Sequence, residues 1–234
     1  MSLGKHSGYP AVTRWGANMV YDLLRNLAWL VSRPWKRSVH WHAPLPEGSI
    51  MLAVNHPTSL DPFMVASLVK RRMVFLTSYK LFQLPLIGRL CKAGGMISAG
   101  MGSPRHALQA AIAALHQGYT ICVFPEGRIS PETGEVATLR SGAARIALGA
   151  KATIVPVGIY APAEYLKLLP VKVNGRTDHI RWYRGGPYAV TFGKPISLDD
   201  RKNDGKSIRD LSEEIAAHIA ALSAEGRARV AALV

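Results

Sequence analysis

Three short apolar runs, at residues 50–54, 119–124 and 152–157, alternate along the chain with segments whose apolar residues recur at helical spacing. Runs of this length bounded by turn residues are typical of strands that are buried on both faces. Strands that alternate with helices predict βαβ units, in which the strands run parallel and the helices cover the sheet. We therefore expect an α/β fold with a mostly parallel central sheet flanked by helices.

Two further elements are predicted near the C-terminus. Residues 188–192 alternate in polarity, which is typical of an edge strand or an antiparallel strand. A last helix is expected to begin near Ser207, where Asp210 would complete a capping box.

The chain has 234 residues, 48% of them hydrophobic, and a net charge of +14. Its length and composition indicate one globular domain with a small N-terminal extension. The positive charge is concentrated in residues 1–42 and 140–194, which favours an anionic partner: nucleic acid, an acidic membrane surface or a phosphorylated substrate. The only support for a nucleic-acid-binding module is the positive charge, since no nucleic-acid-binding motif is recognised. We therefore expect no nucleic-acid partner.

The two cysteines, Cys91 and Cys122, lie beside apolar residues and lack the spacing of a metal site. Free cysteines in such surroundings are mostly buried small hydrophobes in a reducing compartment. The sequence therefore predicts neither a metal site nor a disulfide.

We divide the chain into an N-terminal segment at 1–42 and a main domain at 43–234. Residues 19–35 mix leucines with Asp22, Arg25 and Arg33, and four of the five tryptophans fall within the first 41 residues. This mixture predicts an amphipathic helix that lies at a lipid headgroup interface, although an ordinary helix packed on the domain fits the pattern too. No signal peptide and no apolar run of about 18 residues is recognised, so we expect peripheral association with the cytoplasmic face of a membrane.

A histidine and a carboxylate, His56 and Asp61, follow the first predicted strand. On a regular helix they would lie about 140° apart, so they can meet only across a turn, which Pro57 and Ser59 allow. His56 is then either a general base oriented by Asp61 or a satisfied, partly buried histidine. Asp61 precedes Pro62, so it is also placed to cap the next helix.

A second polar turn, at residues 125–128, follows the strand at 119–124. Glu126 offers a carboxylate, Gly127 lets backbone approach a ligand, and Arg128 is suited to contacts with phosphate. A surface turn with a local ion pair is the alternative. Two polar turns at the carboxyl ends of strands in one sheet favour a joint site.

Three blocks, at residues 56–61, 124–130 and 154–158, resemble the glycerolipid acyltransferase family, which contains the 1-acylglycerol-3-phosphate acyltransferases. The first block has the H-x4-D pattern and the second begins Phe-Pro-Glu-Gly. The resemblance implies that His56 is the general base and that Asp61 holds its tautomer. It further implies that Pro156 shapes the acyl or acceptor pocket and that the acceptor's glycerol phosphate is bound by Glu126, Gly127 and Arg128.

Two departures from the family pattern concern positive charge. The family usually has Phe-Pro-Glu-Gly-Thr-Arg-Ser, whereas here arginine comes one place early as Arg128, and Ile129 stands at its usual place. An arginine that the family carries between the two blocks is absent from residues 95–101. For a phosphate-bearing acceptor, the substitutes we consider are Lys92, Arg105 and Arg140.

The resemblance implies transfer of a fatty acyl group from acyl-CoA or acyl carrier protein to lysophosphatidic acid, giving phosphatidic acid. Such a reaction needs a base and oxyanion stabilisation but no cofactor. The implied partners are a membrane lipid surface, a lysophospholipid and the thioester carrier. A lysophospholipid with a larger headgroup, such as lysophosphatidylethanolamine, is the alternative acceptor, and a catalytically silent lipid-binding relative is disfavoured by the intact His56 and Asp61.

Overall fold

The computed structural model describes residues 14–33, 35–100, 104–131, 135–173 and 176–232. The helices in these ranges are α1 Arg14–Val31, α2 Asp61–Leu68, α3 Tyr79–Phe82, α4 Pro85–Ala93, α5 Pro104–His116, α6 Gly142–Ala150 and α7 Gly205–Ala231. The strands are β1 Arg37–Trp41, β2 Ile50–Val54, β3 Met73–Ser78, β4 Ile97–Ala99, β5 Thr120–Val123, β6 Thr153–Tyr160, β7 Leu166–Val173, β8 Arg176–Tyr183 and β9 Tyr188–Phe192.

A central sheet has the strand order β1-β9-β6-β2-β5-β3-β4, and strands β7 and β8 form a separate hairpin. Within the sheet, β9 and β6 pair antiparallel, and the other neighbouring strands pair parallel. The prediction of a mixed α/β fold with a mostly parallel sheet flanked by helices is confirmed.

Helices cover both faces of the sheet because its central strands are apolar on both sides. Every residue of β2 is fully buried, and alternate residues join different clusters. Met51 and Ala53 pack with α5, α6 and α7 on one face. Ile50, Leu52 and Val54 pack with α2 on the other face, where Tyr21 of α1 belongs to the same cluster.

Helix α7 lies unusually close to β6 at Gly158. A β-carbon added at this glycine would lie 2.3 Å from the backbone nitrogen of Ser223, so any side chain there would collide with helix backbone. The hydroxyl of Ser223 donates a hydrogen bond to the Ile159 carbonyl, 2.9 Å away. The last helix is thereby held against the strand that neighbours β2.

The predictions for the two C-terminal elements have different outcomes. Strand β9 is antiparallel to β6, which is one of the two predicted alternatives, and it lies inside the sheet between β1 and β6 with residues 188–192 all buried. The last helix begins at Gly205, and its cap is Asp204, whose side chain accepts from the backbone N–H of Ser207. The capping box at Ser207 and Asp210 was therefore wrong by one turn of helix.

The N-terminal region contributes to the sheet as well as to α1. Residues 37–41 form β1, which pairs with β9 and lies before the predicted boundary at 42/43; that boundary stays a prediction. The first 13 residues of the predicted interfacial segment lie outside the described residues. Among the helices that the structure describes, none has the length and apolar character needed to cross a bilayer.

Candidate active site

The two polar turns meet at one edge of the sheet. Strands β2 and β5 are parallel neighbours with Ala53 opposite Val123, so the residues that follow them lie side by side. The backbone N–H of His56 donates to Glu126 Oε1 and to Ser130 Oγ, each 3.0 Å away. The N–H of Ser130 donates in return to the His56 carbonyl at 2.8 Å. The structure thus joins the two polar turns by hydrogen bonds, and their role as a joint site stays a prediction.

Asn55 anchors the first turn by imitating a peptide group. Its side-chain Nδ2 donates to the Ile159 carbonyl at 2.8 Å, and its Oδ1 accepts from the Ile159 N–H at 2.6 Å. Asn55 is 2% exposed, so these bonds satisfy polar atoms that would otherwise be buried at a cost. They fix the direction in which the chain leaves the sheet just before His56.

Asp61 orients His56 from a fully buried position. Its Oδ2 lies 2.8 Å from His56 Nδ1 and accepts from the Thr58 N–H at the same distance. Its Oδ1 accepts from the Thr58 hydroxyl at 2.6 Å and from the Tyr188 hydroxyl at 2.7 Å. Both oxygens of this carboxylate are therefore held by two donors each.

These contacts determine which nitrogen of His56 is basic. A carboxylate only accepts hydrogen bonds, so Nδ1 carries a proton and the lone pair of the neutral ring lies on Nε2. The imidazole stacks on Phe124 with ring centroids 4.2 Å apart, and 18% of the side chain is exposed. Nε2 has no hydrogen-bond partner among the described residues, so it can accept a proton from a bound alcohol.

The alternative role of Asp61 as a helix cap was wrong. The N-cap of α2 is Leu60, and no side chain caps this helix. Asp61 is the first residue of the helix and directs its carboxylate back into the turn, towards Thr58 and His56.

Glu126 lies inside the protein rather than on an open surface. It is 2% exposed, and its Oε1 accepts from the Ser130 hydroxyl at 2.6 Å as well as from the N–H of His56. Its Oε2 accepts from the backbone N–H of Ala137 at 2.8 Å. These three donors lie in the first turn, just after the second turn and in the loop that follows, so the carboxylate connects the three segments.

The β7–β8 hairpin contributes an arginine that the sequence did not single out. Arg181 Nη1 donates to the carbonyls of Ser130 and Pro57, at 2.6 and 3.4 Å. Its backbone N–H donates to Ser59 Oγ, and the Ser59 N–H donates to its carbonyl, at 3.0 and 2.9 Å. One residue of the hairpin therefore contacts both turns.

Tyr188 is a second contributor that sequence reasoning missed. It is the first residue of β9, and burial together with the adjacent Asp61 carboxylate raises the pKa of its hydroxyl well above the usual value of 10.0. Its ring packs against Tyr183 and Trp35. The run at 188–192 predicted a strand here, but nothing in the spacing relates this hydroxyl to a residue 127 positions earlier.

Exposed positive charge lies beside the second turn. Arg128 is exposed, and the guanidinium of Arg140, also exposed, packs over Gly127. Gly127 has φ +65°, and a β-carbon there would lie 2.8 Å from Arg140 Nε. The positive φ favours glycine at this position, and a side chain there would displace the exposed Arg140 guanidinium.

The remaining predicted residues lie farther from the histidine. Arg105 is exposed in the first turn of α5, which follows β4 at the same edge of the sheet. Lys92 is exposed in the last turn of α4, before β4 begins, and has no hydrogen bond or ion pair to the two turns among the described residues. Pro156 is buried in β6 beside Gly193, opposite Ala53, which packs towards α7. The structure does not bring Lys92 or Pro156 into the cluster, and their predicted roles stay predictions.

A histidine–aspartate pair on one turn, joined to a Phe-Pro-Glu-Gly turn on a mostly parallel sheet, defines an acyltransferase domain. The chain belongs to the Acyltransferase family, whose match covers residues 36–160. It is 25% identical over 150 residues to a 1-acyl-sn-glycerol-3-phosphate acyltransferase of Cocos nucifera, covering 62% of this chain and 45% of that protein. The chain therefore matches about half the length of that relative.

The fold is also similar to a solved structure. The crystal structure of the 1-acyl-sn-glycerophosphate (LPA) acyltransferase PlsC from Thermotoga maritima matches with a TM-score of 0.65 and 19% identity. The match covers 89% of this chain and 81% of that one. The protein is an acyltransferase-like enzyme of this fold.

Proposed function

We propose that this enzyme transfers a fatty acyl group from acyl-CoA or acyl carrier protein to the free hydroxyl of lysophosphatidic acid, giving phosphatidic acid. The observation that carries the proposal is the 2.8 Å contact between His56 Nδ1 and Asp61 Oδ2, which leaves Nε2 as a base at the edge of the sheet. The relatives named above, two lysophosphatidic acid acyltransferases, support the choice of acceptor.

The reaction follows from the orientation of the imidazole. Nε2 of His56 removes the proton from the acceptor hydroxyl as the oxygen attacks the thioester carbonyl. Asp61, with four donors already around it, stabilises the imidazolium that forms. When the tetrahedral intermediate collapses, the carbon–sulfur bond breaks and the thiolate takes the proton from Nε2. Atoms and charge balance without a metal or a redox group.

We assign Glu126 and Arg181 to positioning rather than to substrate contact. Glu126 holds the backbone N–H of His56, while Arg181 holds carbonyls of both turns. These hydrogen bonds go to backbone groups of the two turns, so each residue acts through the backbone that carries the imidazole. Small displacements of a catalytic group reduce turnover strongly, which makes such fixed backbone valuable.

Arg128 and Arg140 are our candidates for the acceptor's phosphate. Both are exposed, both lie at Gly127, and Arg140 donates its backbone N–H to the Pro125 carbonyl at 2.8 Å. Guanidinium groups bind phosphate oxygens through paired hydrogen bonds. Both arginines lie at the turn whose Glu126 accepts from the backbone N–H of His56, so a phosphate bound there would belong to the molecule whose hydroxyl meets the histidine.

The proposal places the enzyme on the cytoplasmic face of a membrane through α1. Tyr21 is buried against the domain, and its hydroxyl donates to the Arg71 carbonyl at 3.3 Å. The exposed side chains of α1 are largely apolar, and they include Met19 at 74%, Leu23 at 68%, Leu27 at 51%, Trp29 at 46% and Leu30 at 56%. Leu86 and Ile87 of α4, which packs beside α1, are exposed as well. Exposed apolar residues on this scale mark an interaction surface, and the Arg33 guanidinium over the Trp29 ring suits lipid headgroups.

An acyl-transfer assay with purified enzyme tests the proposal. His56→Ala should lower kcat by about two to four orders of magnitude, because the general base is removed. His116→Ala, which removes an exposed histidine at the end of α5, is the matched control and should retain activity. A folded His56→Ala enzyme with normal turnover would disprove the assignment of the base.

The acceptor is tested separately with a panel of lysolipids. The proposal expects the highest kcat/KM with lysophosphatidic acid, and a higher KM for that acceptor in Arg128→Ala and Arg140→Ala. A preference for lysophosphatidylethanolamine would favour the alternative acceptor, which the early position of Arg128 suggests, and would leave the role of His56 intact.

A further inference from the structure

Two histidines and a glutamate form a cluster far from the candidate active site. His40 lies in β1, His42 follows this strand, and Glu225 lies in α7. Strand β1 is parallel to β9, which runs antiparallel to β6. The carboxyl end of β1 therefore lies at the edge of the sheet opposite to His56. In the strand order, β9 and β6 separate β1 from β2.

Strand geometry places both imidazoles on the face that α7 covers. Successive side chains of a strand point to opposite faces, so positions 38, 40 and 42 share one face. Ser38 is on the α7 side, because its hydroxyl accepts from Arg229 Nε at 3.0 Å. The two imidazole rings have centroids 5.1 Å apart, at 83° to each other.

The ligand atoms of the three residues are close enough to surround one ion. One nitrogen from each histidine and one carboxylate oxygen all lie within 4.8 Å of one another, and His42 Nε2 is 2.7 Å from Glu225 Oε2. Zinc bonds to nitrogen and oxygen at about 2.0–2.2 Å, which puts the ligand atoms of a tetrahedral site about 3.4 Å apart. His40 and His42 are exposed, so rotation of their side chains supplies the adjustment.

Arg229 holds the Glu225 carboxylate in one orientation by hydrogen bonding. It donates through Nη1 to Glu225 Oε1, which leaves Oε2 directed towards His42. Arg229 is fixed in turn by Ser38, by the Thr191 hydroxyl at 2.8 Å and by the Val190 carbonyl. Hydrogen bonds that orient the ligating carboxylate are typical of metal sites in proteins.

We propose that His40, His42 and Glu225 bind one zinc ion, with water completing the coordination, and that this ion fastens the edge strand β1 to helix α7. Two imidazoles and a carboxylate suit zinc among the divalent ions that accept nitrogen ligands. Strand β1 is the first strand of the chain and follows α1, so the ion would connect the N-terminal part of the domain to the last helix. The proposal concerns stability and is independent of the proposed acyl transfer.

Titration of the full-length protein with zinc chloride, followed by calorimetry, tests this site. We expect one ion per chain, and binding at least about tenfold weaker in His40→Ala, in His42→Ala and in Glu225→Gln. His218→Ala is the matched control, because His218 is an exposed histidine of the same helix α7. It should bind zinc as the unmodified protein does.

Thermal unfolding gives a second readout that does not involve activity. An ion that binds only the folded chain raises Tm as the zinc concentration increases. This increase in Tm should disappear in His40→Ala and in His42→Ala. Circular dichroism of the ion-free variants shows that they fold, which is expected because both histidines are exposed. Absence of one-to-one binding, or unchanged binding and Tm increase in both histidine variants, would overturn the proposal.

Discussion

Replacing Glu126 with glutamine removes one oxygen from a buried carboxylate that accepts three hydrogen bonds. If the amide oxygen of the new side chain keeps the contacts to His56 and Ser130, its NH₂ group faces the backbone N–H of Ala137. Two donors then face each other in the interior, and Ala137 is only 7% exposed. If the amide is reversed, its NH₂ group faces the N–H of His56, which keeps only Ser130 Oγ as an acceptor.

The expected loss of stability follows from these contacts. A buried donor without a partner costs about 1–3 kcal/mol, and the remaining bonds weaken because they no longer involve a charge. Relief from burying that charge offsets part of the loss, so we expect about 2–4 kcal/mol in total. For a chain of this size each kcal/mol lowers Tm by about 2–4 °C, giving a decrease of roughly 4–16 °C.

Thermal unfolding and steady-state kinetics together separate the two roles of Glu126. A positioning residue should lower both Tm and kcat in Glu126→Gln, with a smaller effect on the KM for the lysolipid. Arg128→Ala is the comparison, because this exposed side chain should raise KM and leave Tm unchanged. An unchanged Tm with a raised KM in Glu126→Gln would refute the reasoning and restore direct binding of the acceptor.

Three further changes give separate expectations. Because the pKa of Tyr188 is raised, the folded chain keeps a proton that the unfolded chain loses above pH 10, so stability falls as pH rises. Between pH 10 and pH 11, Tyr188→Phe should lose about 1 kcal/mol less unfolding free energy than the unmodified protein, measured by urea unfolding. An equal loss in both proteins would contradict the raised pKa. Leu23→Glu should weaken sedimentation with anionic vesicles by about tenfold or more, whereas Leu168→Glu on the hairpin should not; equal effects would argue against α1 as the membrane surface. Gly158→Ala forces a β-carbon against the backbone of Ser223 and should cost about 3 kcal/mol or more in unfolding free energy; a neutral result would show that α7 can move away.

The sequence predicts those parts of the fold in which one local pattern decides the outcome. Strands β2, β5 and β6 are apolar on both faces, so their buried, parallel arrangement could be inferred without any contact. The two polar turns follow β2 and β5, and for that reason the pairing of His56 with Glu126 at one edge of the sheet was foreseeable in outline.

Elements without such a pattern were missed. Strand β7 of the hairpin has only exposed and half-buried residues and contains Pro170, so it does not have the pattern of a buried strand. Strand β1 begins at Arg37 and ends at Trp41, a mixture that also fits a headgroup interface. Both elements are held by contacts with residues more than 100 positions away, and composition carries no information about those contacts.

Competing local signals explain the remaining errors. Asp61 before Pro62 has the pattern of a helix cap, but its carboxylate is surrounded by four donors from His56, Thr58 and Tyr188, which a cap could not match. Asp204 lies only three residues before Ser207, and both residue types cap helices well, so the sequence pattern alone does not decide where the last helix begins. The position of Arg181 is fixed by hydrogen bonds of its backbone with the hydroxyl and the N–H of Ser59, and no local sequence pattern indicates them.

The antiparallel direction of β9 has a consequence for how the catalytic pair forms during synthesis. This strand starts at the edge where β6 and β2 end, so its first residue, Tyr188, completes the donors around Asp61. The second family block ends at Ser130, well before Tyr188, and ribosomes add about 5–20 residues per second. For roughly 3–12 s a nascent chain therefore holds both polar turns without the hydroxyl that completes the donors around Asp61. The set of donors around Asp61 is completed only when the last strand joins the sheet, and a fragment that ends at residue 160 lacks the Tyr188 hydroxyl.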